Sequence, residues 1–576
     1  MNEHRPERLR IVGQEGAEQI RWTDLIAGEQ VDDGTVCADA WPDMVAQQET
    51  LPDPVRWVWS DTSRWYPPLL RTGVRVRRCL DLRLAHAILA RSTRIVDATA
   101  LQQAVMWDPT APEAEPLSEN VALFELDTRP VGPSPDSFAE TVEELRRQHR
   151  ALATAHGADH LRLLLAAESV GALIAAEMHD AGIPWDVAEH DRILRDELGP
   201  RPGRDQVPQL MAEQAAAVRA ALDDPTLVVD SPPRLLRALR RAGVDVSSTS
   251  KWELEGLDHP VIAPLLRYKQ MHRLLTANGW QWMEAWIREG RYRPVYVPGG
   301  VVTGRWAAAG GGALQIPRQL RSCIRADDGW TLVSADVSQL EPRALAALSG
   351  DDALATAARG QDLYSGIVAA GIVGTRQEAK VGMLGALYGG TSGDAGRVVA
   401  RLRQQFPAAM RVVDGAAEVG ERGGAVSTLL GRSTPPPPGS WVAQQSAAAQ
   451  PGSSDQEQAA ARRAARDRGR FTRNFVVQGT AAEWALAWMG LLRTRLHALP
   501  QMDAAPAAAS GPVFCRRAHL VLFLHDEVMV HTPAEQAHEV AAAVRTAATD
   551  AGRLLFPSSS VDFPLDLRIS ERSGTE

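Results

Sequence analysis

The sequence predicts an α/β chain of several domains, and three observations predict it. Its 576 residues make for roughly two to four domains with ample core. Two short apolar runs, TLVSADVSQLEPR (331–343) and LVLFLHDEVMVHTP (520–533), each lead into acids, the pattern of buried strands with a polar tip. Residues 138–290 and 351–425 show helical periodicity.

Residues 1–110 alternate apolar runs with turns: VRWVWS (55–60), VRVRRCLDL (74–82) and TRIVDA (93–98), with LAHAILA (84–90) as a helix. A small α/β domain is expected there. Residues 108–137, rich in Pro, Glu and Asp, read as a surface loop. SFAETVEELRRQHRALA fits a capped helix, and the run from His160 closes a helix at Gly182. Further helices fill 200–245. SSTSKWELEGL (247–257) offers a Ser/Thr N-cap ahead of Glu253, and 259–290 is a long amphipathic stretch with basic residues on one side. Strand and loop return over 291–350. Residues 433–469, with PPPP and an Ala/Ser/Gln-rich run, read as a flexible insertion. FTRNFVVQGTAAEWALAWMGLL (471–492) is expected as a buried helix, 500–513 as a loop, and 520–533 as a β-hairpin.

Composition narrows the function classes. The net charge of −9 is no argument for nucleic acid, yet residues 291–343 hold seven Arg against four Asp or Glu. A basic stripe beside carboxylates suits a polyanion held over metals; a solvated face is the plainer alternative. Cys37, Cys79, Cys323 and Cys515 are scattered with no CxxC pair, so neither a zinc ribbon nor a disulfide framework is supported. MNEHRPERLR is not a signal peptide, and no apolar run approaches the roughly 20 residues that span a bilayer. A reduced, cytoplasmic protein with no membrane partner is expected. Lys251, Lys269 and Lys380 are the only lysines among 62 basic residues. In that background a Lys hints at a site needing a compact ammonium.

The chemistry gathers in three places. Thr331-Leu332-Val333 reads as a strand that delivers Asp336; a turn through Val337, Ser338 and Gln339 leads to Glu341 and a helix start at Pro342. His525-Asp526-Glu527 tips the later hairpin. Two strand ends, each with an Asp, can hold two hard divalent cations on oxygen ligands. Third, Arg376, Lys380, Leu384 and Tyr388 follow at successive i, i+4 positions, one face of a helix ended by Gly389-Gly390. Two cations, then an apolar residue, then an aromatic is the order a nucleoside triphosphate asks for. An ordinary amphipathic helix is the alternative.

Together these motifs resemble the family A DNA polymerases, the DNA polymerase I family, from about Ser231 to the C-terminus. ADVSQLEPR resembles the family's first carboxylate motif, RQEAKVGMLGALYG its nucleotide-binding helix, and LHDEVMVHTP its second carboxylate motif. VVTGRWAAAGGGALQIP resembles its template–primer segment, and RNFVVQGTAAEW the helix at the terminal base pair. More narrowly, the chain is similar to short bacterial proteins of the bifunctional 3′–5′ exonuclease/DNA polymerase type. The resemblance implies a right-hand polymerase of palm, fingers and thumb, preceded by a ribonuclease-H-like exonuclease-type domain. The divisions expected are 1–190 for that domain, 191–290 thumb and connecting helices, 291–350 palm, 351–432 fingers, 433–469 insertion and 470–576 palm again.

The resemblance also implies roles. Asp336 and Asp526 would hold two Mg²⁺ ions, with Mn²⁺ able to substitute, and Glu527 would support them. Arg376 and Lys380 would grip the triphosphate, and Lys380 would also donate a proton to pyrophosphate. Glu341 would be the steric gate against a 2′-hydroxyl, with Gln339 in the nucleotide site and Tyr388 beside the templating position. Lys269, Arg305, Gln315, Arg470, Asn474, Gln478 and His525 would hold primer and template. The implied partners are primer-template DNA and deoxynucleoside triphosphates, for a nucleoid-associated monomer. Leu384 replaces the usual stacking aromatic, Val337 the usual Tyr and Pro342 an aliphatic, which puts nucleotide affinity and sugar discrimination in question.

VRWVWSDTSRWYPPLLRTGVRVRRCLDLRLAHAIL (55–89) resembles the family's proofreading exonuclease, but the DxE pair is missing and Trp65 stands where the central Asp is expected. Asp81 is left as the one candidate ligand, and a single acid cannot hold a metal pair, so an inactive exonuclease domain is expected. A decayed, non-catalytic DNA-binding body and a nuclease are the competing readings.

Overall fold

The structure is a computed structural model that describes residues 7–108, 135–203, 206–309, 312, 316–360, 362–390, 393–503, 505–524 and 526–574. The loop expected over 108–137 therefore lies almost wholly outside the described residues.

The chain opens with a five-stranded sheet of order β3-β2-β1-β4-β5, from β1 (Arg8–Gln14), β2 (Gln19–Ile26), β3 (Glu29–Cys37), β4 (Arg56–Trp59) and β5 (Cys79–Asp81). The first three strands form an antiparallel meander; β4 and β5 add in parallel. VRWVWS is thus a strand over Arg56–Trp59, but of the 74–82 run only Cys79–Asp81 is, Leu82 already starting a helix, and TRIVDA forms none. Val12, Trp57, Trp59, Tyr66 and Leu69 fill the core beneath.

Helix Phe138–Ala153 starts where the sequence places it, with Ser137 Oγ accepting from the Glu140 amide. Helix Ala158–Ala181 ends at Gly182, whose φ of +66° suits glycine and whose Cα lies so near Arg291 that a Cβ would come within 2.9 Å of it. This helix packs on helix Thr62–Arg71 and β5, and also on helix Asp455–Ala498 and the strand His519–Leu524 of the C-terminal half. The contact is sealed by a buried polar cluster. Glu177 accepts from Tyr66 Oη at 2.6 Å, Arg75 Nε at 3.1 Å and Arg493 Nη2 at 2.6 Å. Burial pushes the Glu177 carboxyl up, but Arg493 and then Arg75 outweigh it and hold the group at about 2.

Helices fill 187–286, the amphipathic stretch breaking at Gly279 into Ile262–Asn278 and Trp280–Trp286. Ser250 caps Lys251–Leu254 without a side-chain bond; Glu253 instead accepts from the Ser247 and Ser248 amides. Small strands follow: β6 (Ile183–Pro184), β7 (Ile287–Arg288) and β8 (Arg291–Tyr292) in one sheet, β9 (Val295–Val297) and β10 (Ala307–Ala309) in another.

The second large sheet is antiparallel, of order β12-β13-β11-β14, from β11 (Trp330–Val337), β12 (His519–Leu524), β13 (Glu527–Pro533) and β14 (Leu565–Ser570). β11 runs four residues past the expected strand, and its helix starts at Leu340, not Pro342. Proline is tolerated in that first turn, where backbone amides have no intrahelical partner. Helices Asp455–Ala498 and Ala537–Leu555 back this sheet.

The stretch 433–469 is not a flexible insertion. It folds into helix Gly439–Ala448 and the start of a 44-residue helix, Asp455–Ala498. Ser454 and Glu457 form a capping box, and the Trp441 indole donates to Ala464 O at 3.2 Å. Low-complexity composition misleads here because Ala, Gln and Arg are strong helix formers. Among the described residues, no helix is long and apolar enough to cross a membrane.

Candidate active site

Strand register brings three acids into a row. On β11, Asp336 pairs with Glu527 of β13 on one side and with Asp566 of β14 on the other. Directly opposed residues point to the same face, so the three carboxylates share one. Asp526 sits in the turn before β13, where its carbonyl accepts from the Val337 amide at 3.1 Å. The two acid-bearing turns are therefore physically joined. His525 lies outside the described residues.

The electrostatics follow. Asp336 opens to solvent, but desolvation by the protein around its carboxylate, then Asp526, Glu527 and Asp566, push it up to about 7, against a smaller pull from Arg321. Asp526 is raised too, first by burial and then by Glu341, with Arg305 opposing. Glu527 receives Arg321 Nη2 at 3.0 Å. The donor set is carboxylate oxygen with negative charge in excess, which fits hard divalent cations. Among the described residues, no group of three or more His, Cys, Asp or Glu is arranged to hold a metal by itself. Such an ion would draw further oxygens from water or a bound phosphate, as Mg²⁺ sites commonly do.

Glu341 stands in the first turn of the helix Leu340–Ser349 that follows β11, held between Arg305 and Tyr388, whose hydroxyl donates to it at 2.7 Å. Tyr388 ends helix Arg376–Tyr388, which starts in a Thr375–Glu378 capping box and stops at Gly389 with φ +77°. A Cβ at Gly389 would strike the Arg470 stem at 2.7 Å, so glycine there both turns the chain and admits Arg470. Lys380 is exposed, and Leu384 and Tyr388 are half-buried. Arg376 is exposed, donates to Asp362 at 2.5 Å and sits 5.5 Å from the Tyr364 ring centroid.

Other expected site residues have structural ties. Gln339 takes a left-handed backbone (φ +52°) and its Oε1 accepts from the Leu363 amide at 3.1 Å, tethering the acid turn to the next helices rather than presenting that oxygen to the cleft. Lys269 donates to the Thr249 carbonyl and, at 3.1 Å, to its hydroxyl. Arg470 pairs with Asp467. Gln478 accepts from Thr303 at 2.9 Å. Asn474 is buried with its Oδ1 unpartnered among the described residues. Gln315 lies outside the described residues.

Sequence reasoning missed Asp566, Arg321, Asp362 and the buried Arg343. The last donates to Ser338 O and Gly360 O, each at 2.8 Å, and so fixes the acid turn. Arg343 closes the ADVSQLEPR motif and was visible in it; Asp566 had no signal, because only strand pairing brings it across from Asp336.

The first sheet offers nothing similar. Asp81 is not a free ligand: it caps helix Leu82–Leu89, its two oxygens accepting from the Leu84 and Thr62 amides at 2.9 and 2.7 Å. Asp61 accepts from Arg83 at 2.8 Å, and Asp24 from Arg10 at 2.6 Å. Trp65 is buried and donates to Ser60 Oγ at 3.1 Å.

Residues 236–573, more than half of the chain, match the description "DNA polymerase family A". DNA polymerase I of Chloroflexus aurantiacus is 27% identical over 379 residues, covering 60% of this chain and 36% of that protein. The thermostable DNA polymerase I of Thermus filiformis is 27% identical over 356 residues, covering 56% and 37%. The chain thus spans little more than a third of the length of these curated relatives. A solved structure, the POL domain of Pol1 from M. smegmatis in complex with DNA primer-template and dNTP, superposes with a TM-score of 0.62 at 17% identity, covering 98% of this chain and 95% of that one. That likeness shows the fold.

Proposed function

The chain belongs to DNA polymerase family A, and from that premise we propose that it is a template-directed DNA polymerase, adding deoxynucleotides to a primer 3′ end in replication or repair. The observation that carries the reading is the row Glu527–Asp336–Asp566 with Asp526 at its edge, negative charge at one end of the sheet that Arg321 and Arg568 offset only in part. Two Mg²⁺ ions at Asp336 and Asp526, with Mn²⁺ able to substitute, would lower the pKa of the primer 3′-hydroxyl and neutralise charge on the triphosphate.

The chain's own residues do the rest. Arg376 and Lys380, one turn apart, grip the phosphates; Lys380 is the proton donor for departing pyrophosphate. Glu341, fixed by Arg305 and Tyr388, stands where a 2′-hydroxyl would collide. Leu384 offers the base an aliphatic surface. Arg305, Asn474 and Gln478, with Gln315 and His525, hold the terminal base pair, while Lys269 and Arg470 bear on the backbone. Each of these roles is our reading.

The first sheet we read as a ribonuclease-H-like exonuclease domain without nuclease chemistry, because Asp24, Asp61 and Asp81 are already engaged by arginines or backbone amides. Primer extension with Mg²⁺ tests the whole reading. Wild-type chain should lengthen a labelled primer, and Asp526→Asn should abolish extension with DNA binding nearly intact. Extension by that variant at the wild-type rate would refute it.

A further inference from the structure

The segment TRIVDA (93–98) forms no strand, and its first residues have another use. Ser92, Thr93 and Arg94 meet a tight hairpin, 426–434, from the second half of the chain. Ser92 Oγ donates to the Gly431 carbonyl at 2.7 Å, the Thr93 amide to Ser433 Oγ at 3.0 Å, and Arg94 Nη2 to the Leu429 carbonyl at 2.7 Å. Leu430 is 2% exposed because it enters the core of the first domain beside Ile95, Leu161 and Leu164. Gly431, at φ +112°, leaves no room for a side chain: a Cβ there would lie 2.9 Å from both Arg94 Cδ and Leu161 Cδ2.

The other face of the hairpin is bonded to the cleft. The Leu429 amide donates to Thr480 Oγ1 at 3.2 Å and the Leu430 amide to Glu483 Oε2 at 3.0 Å; the Thr428 hydroxyl donates to Glu483 as well. Both acceptors stand on helix Asp455–Ala498 just after Gln478. Thr428 presses on Gly479, where a Cβ would come within 2.4 Å of Thr428 Cγ2 and 3.1 Å of the Thr303 carbonyl. Thr303 in turn donates to Gln478 at 2.9 Å. Arg432 pairs with the buried Glu168 and passes so near Gly304 that a Cβ there would lie 2.5 Å from its Nε. Gly304 precedes Arg305, which holds Glu341.

One peptide group joins the two faces. The Leu429 carbonyl, bound by Arg94, and the Leu430 amide, bound to Glu483, are opposite ends of a single planar trans unit. It cannot bend between them, so a shift at Arg94 is passed to the helix that carries Gln478. We propose that Arg94 is a positioning residue for primer extension: through this peptide it fixes Glu483, and with it Gln478 and Arg305, where they meet the terminal base pair. The inference rests on the reading of the cleft as a polymerase site. It gives the first domain a task that needs no nuclease chemistry and no contact between Arg94 and DNA.

The test uses full-length variants and single-nucleotide extension of primed template. Arg94→Ala should lower kcat about tenfold, with KM for the nucleotide within about twofold, because displaced groups fail in the transition state rather than in binding. Ser92→Ala removes a single hydrogen bond, serves if Arg94→Ala does not fold, and should move kcat the same way by about threefold. In a Gln478→Ala background Arg94→Ala should cost almost nothing further, since both act on one chain of contacts; a mere loss of stability would leave the two effects multiplicative. The Val301 and Gly304 amides bond within their own loop at 3.0 and 2.8 Å. Their hydrogen exchange should quicken in Arg94→Ala while that of helix Arg376–Tyr388 stays at the wild-type rate. Multiplicative effects of the two substitutions, or unchanged kcat and exchange, would overturn the proposal. If the wild type extends no primer yet exchange at 301–304 still quickens in the variant, the polymerase reading fails and the strut from Arg94 to the cleft stands.

Discussion

In the first sheet and the helices beside it, buried carboxylates already have cationic or amide partners: Asp24 between Arg8 and Arg10, Asp61 on Arg83, Asp81 on two backbone amides, Glu177 on Arg75 and Arg493. In the second sheet Asp336 has two acids for strand neighbours and a third, Asp526, in the adjoining turn. The two regions carry the same residue type in the same chain and differ in what the carboxylates bond: burial and then Asp61 push Asp81 up to about 6, yet its oxygens are met by two amides, whereas Asp336, pushed up to about 7, faces other acids. Paired acids hold a fold together; crowded acids store a demand for cations, which is how sites for phosphoryl chemistry are recognised.

The comparison breaks most plainly at Asp336. Asp336→Asn should cut primer extension on the order of a thousandfold or more, while affinity for primer-template, read by anisotropy, changes little. Equal extension by the variant would mean that crowding marks nothing.

Paired acids predict losses of stability instead. Arg493→Met should cost about 3–5 kcal/mol, since it leaves Glu177 buried with less to oppose its charge, and should lower the thermal midpoint. The same cluster sets a pH dependence. Glu177 titrates at about 2 in the folded chain against an ordinary value of 4.5, so it favours the charged form. Its stabilisation, about 3 kcal/mol, is complete above pH 4.5 and is lost as the pH falls toward 2. Thermal unfolding of wild type and Glu177→Gln across that window should converge at the acid end; a gap that stays constant would contradict the pairing.

Asp81→Ala should cost about 1–2 kcal/mol as a lost helix cap, with extension on primed template unchanged at a permissive temperature. Metal-dependent primer shortening that this variant abolishes would move Asp81 to the other side of the comparison. The smallest effect is expected at Tyr388→Phe. Losing one hydrogen bond to Glu341 should change KM for the nucleotide, or discrimination against ribonucleotides, by about fivefold; kinetics with paired deoxy- and ribonucleotides would show it.

How much could be read beforehand differed between the same two regions. The acid-tipped strand and hairpin were legible because apolar runs, a turn and an acid occur in one short window. The helix Arg376–Tyr388 was legible from its i, i+4 order and its glycines. The meander of β1, β2 and β3 was not singled out, since its strands mix Arg, Asp and Thr with apolar residues and β3 is largely exposed. Asp566 and Asp362 were out of reach because each acts across a contact, one strand over or one helix away. The 433–469 stretch failed for the opposite reason: composition suggested flexibility where alanine and arginine in fact favoured a helix.

The central claim is that the crowded acids work and the paired ones do not. A 5′-labelled primer annealed to a longer template, incubated with Mg²⁺ with and without deoxynucleotides, tests it in one gel. The account predicts a longer product with nucleotides and an unchanged primer without them. A primer that shortens without nucleotides, or fails to lengthen with them, would contradict it.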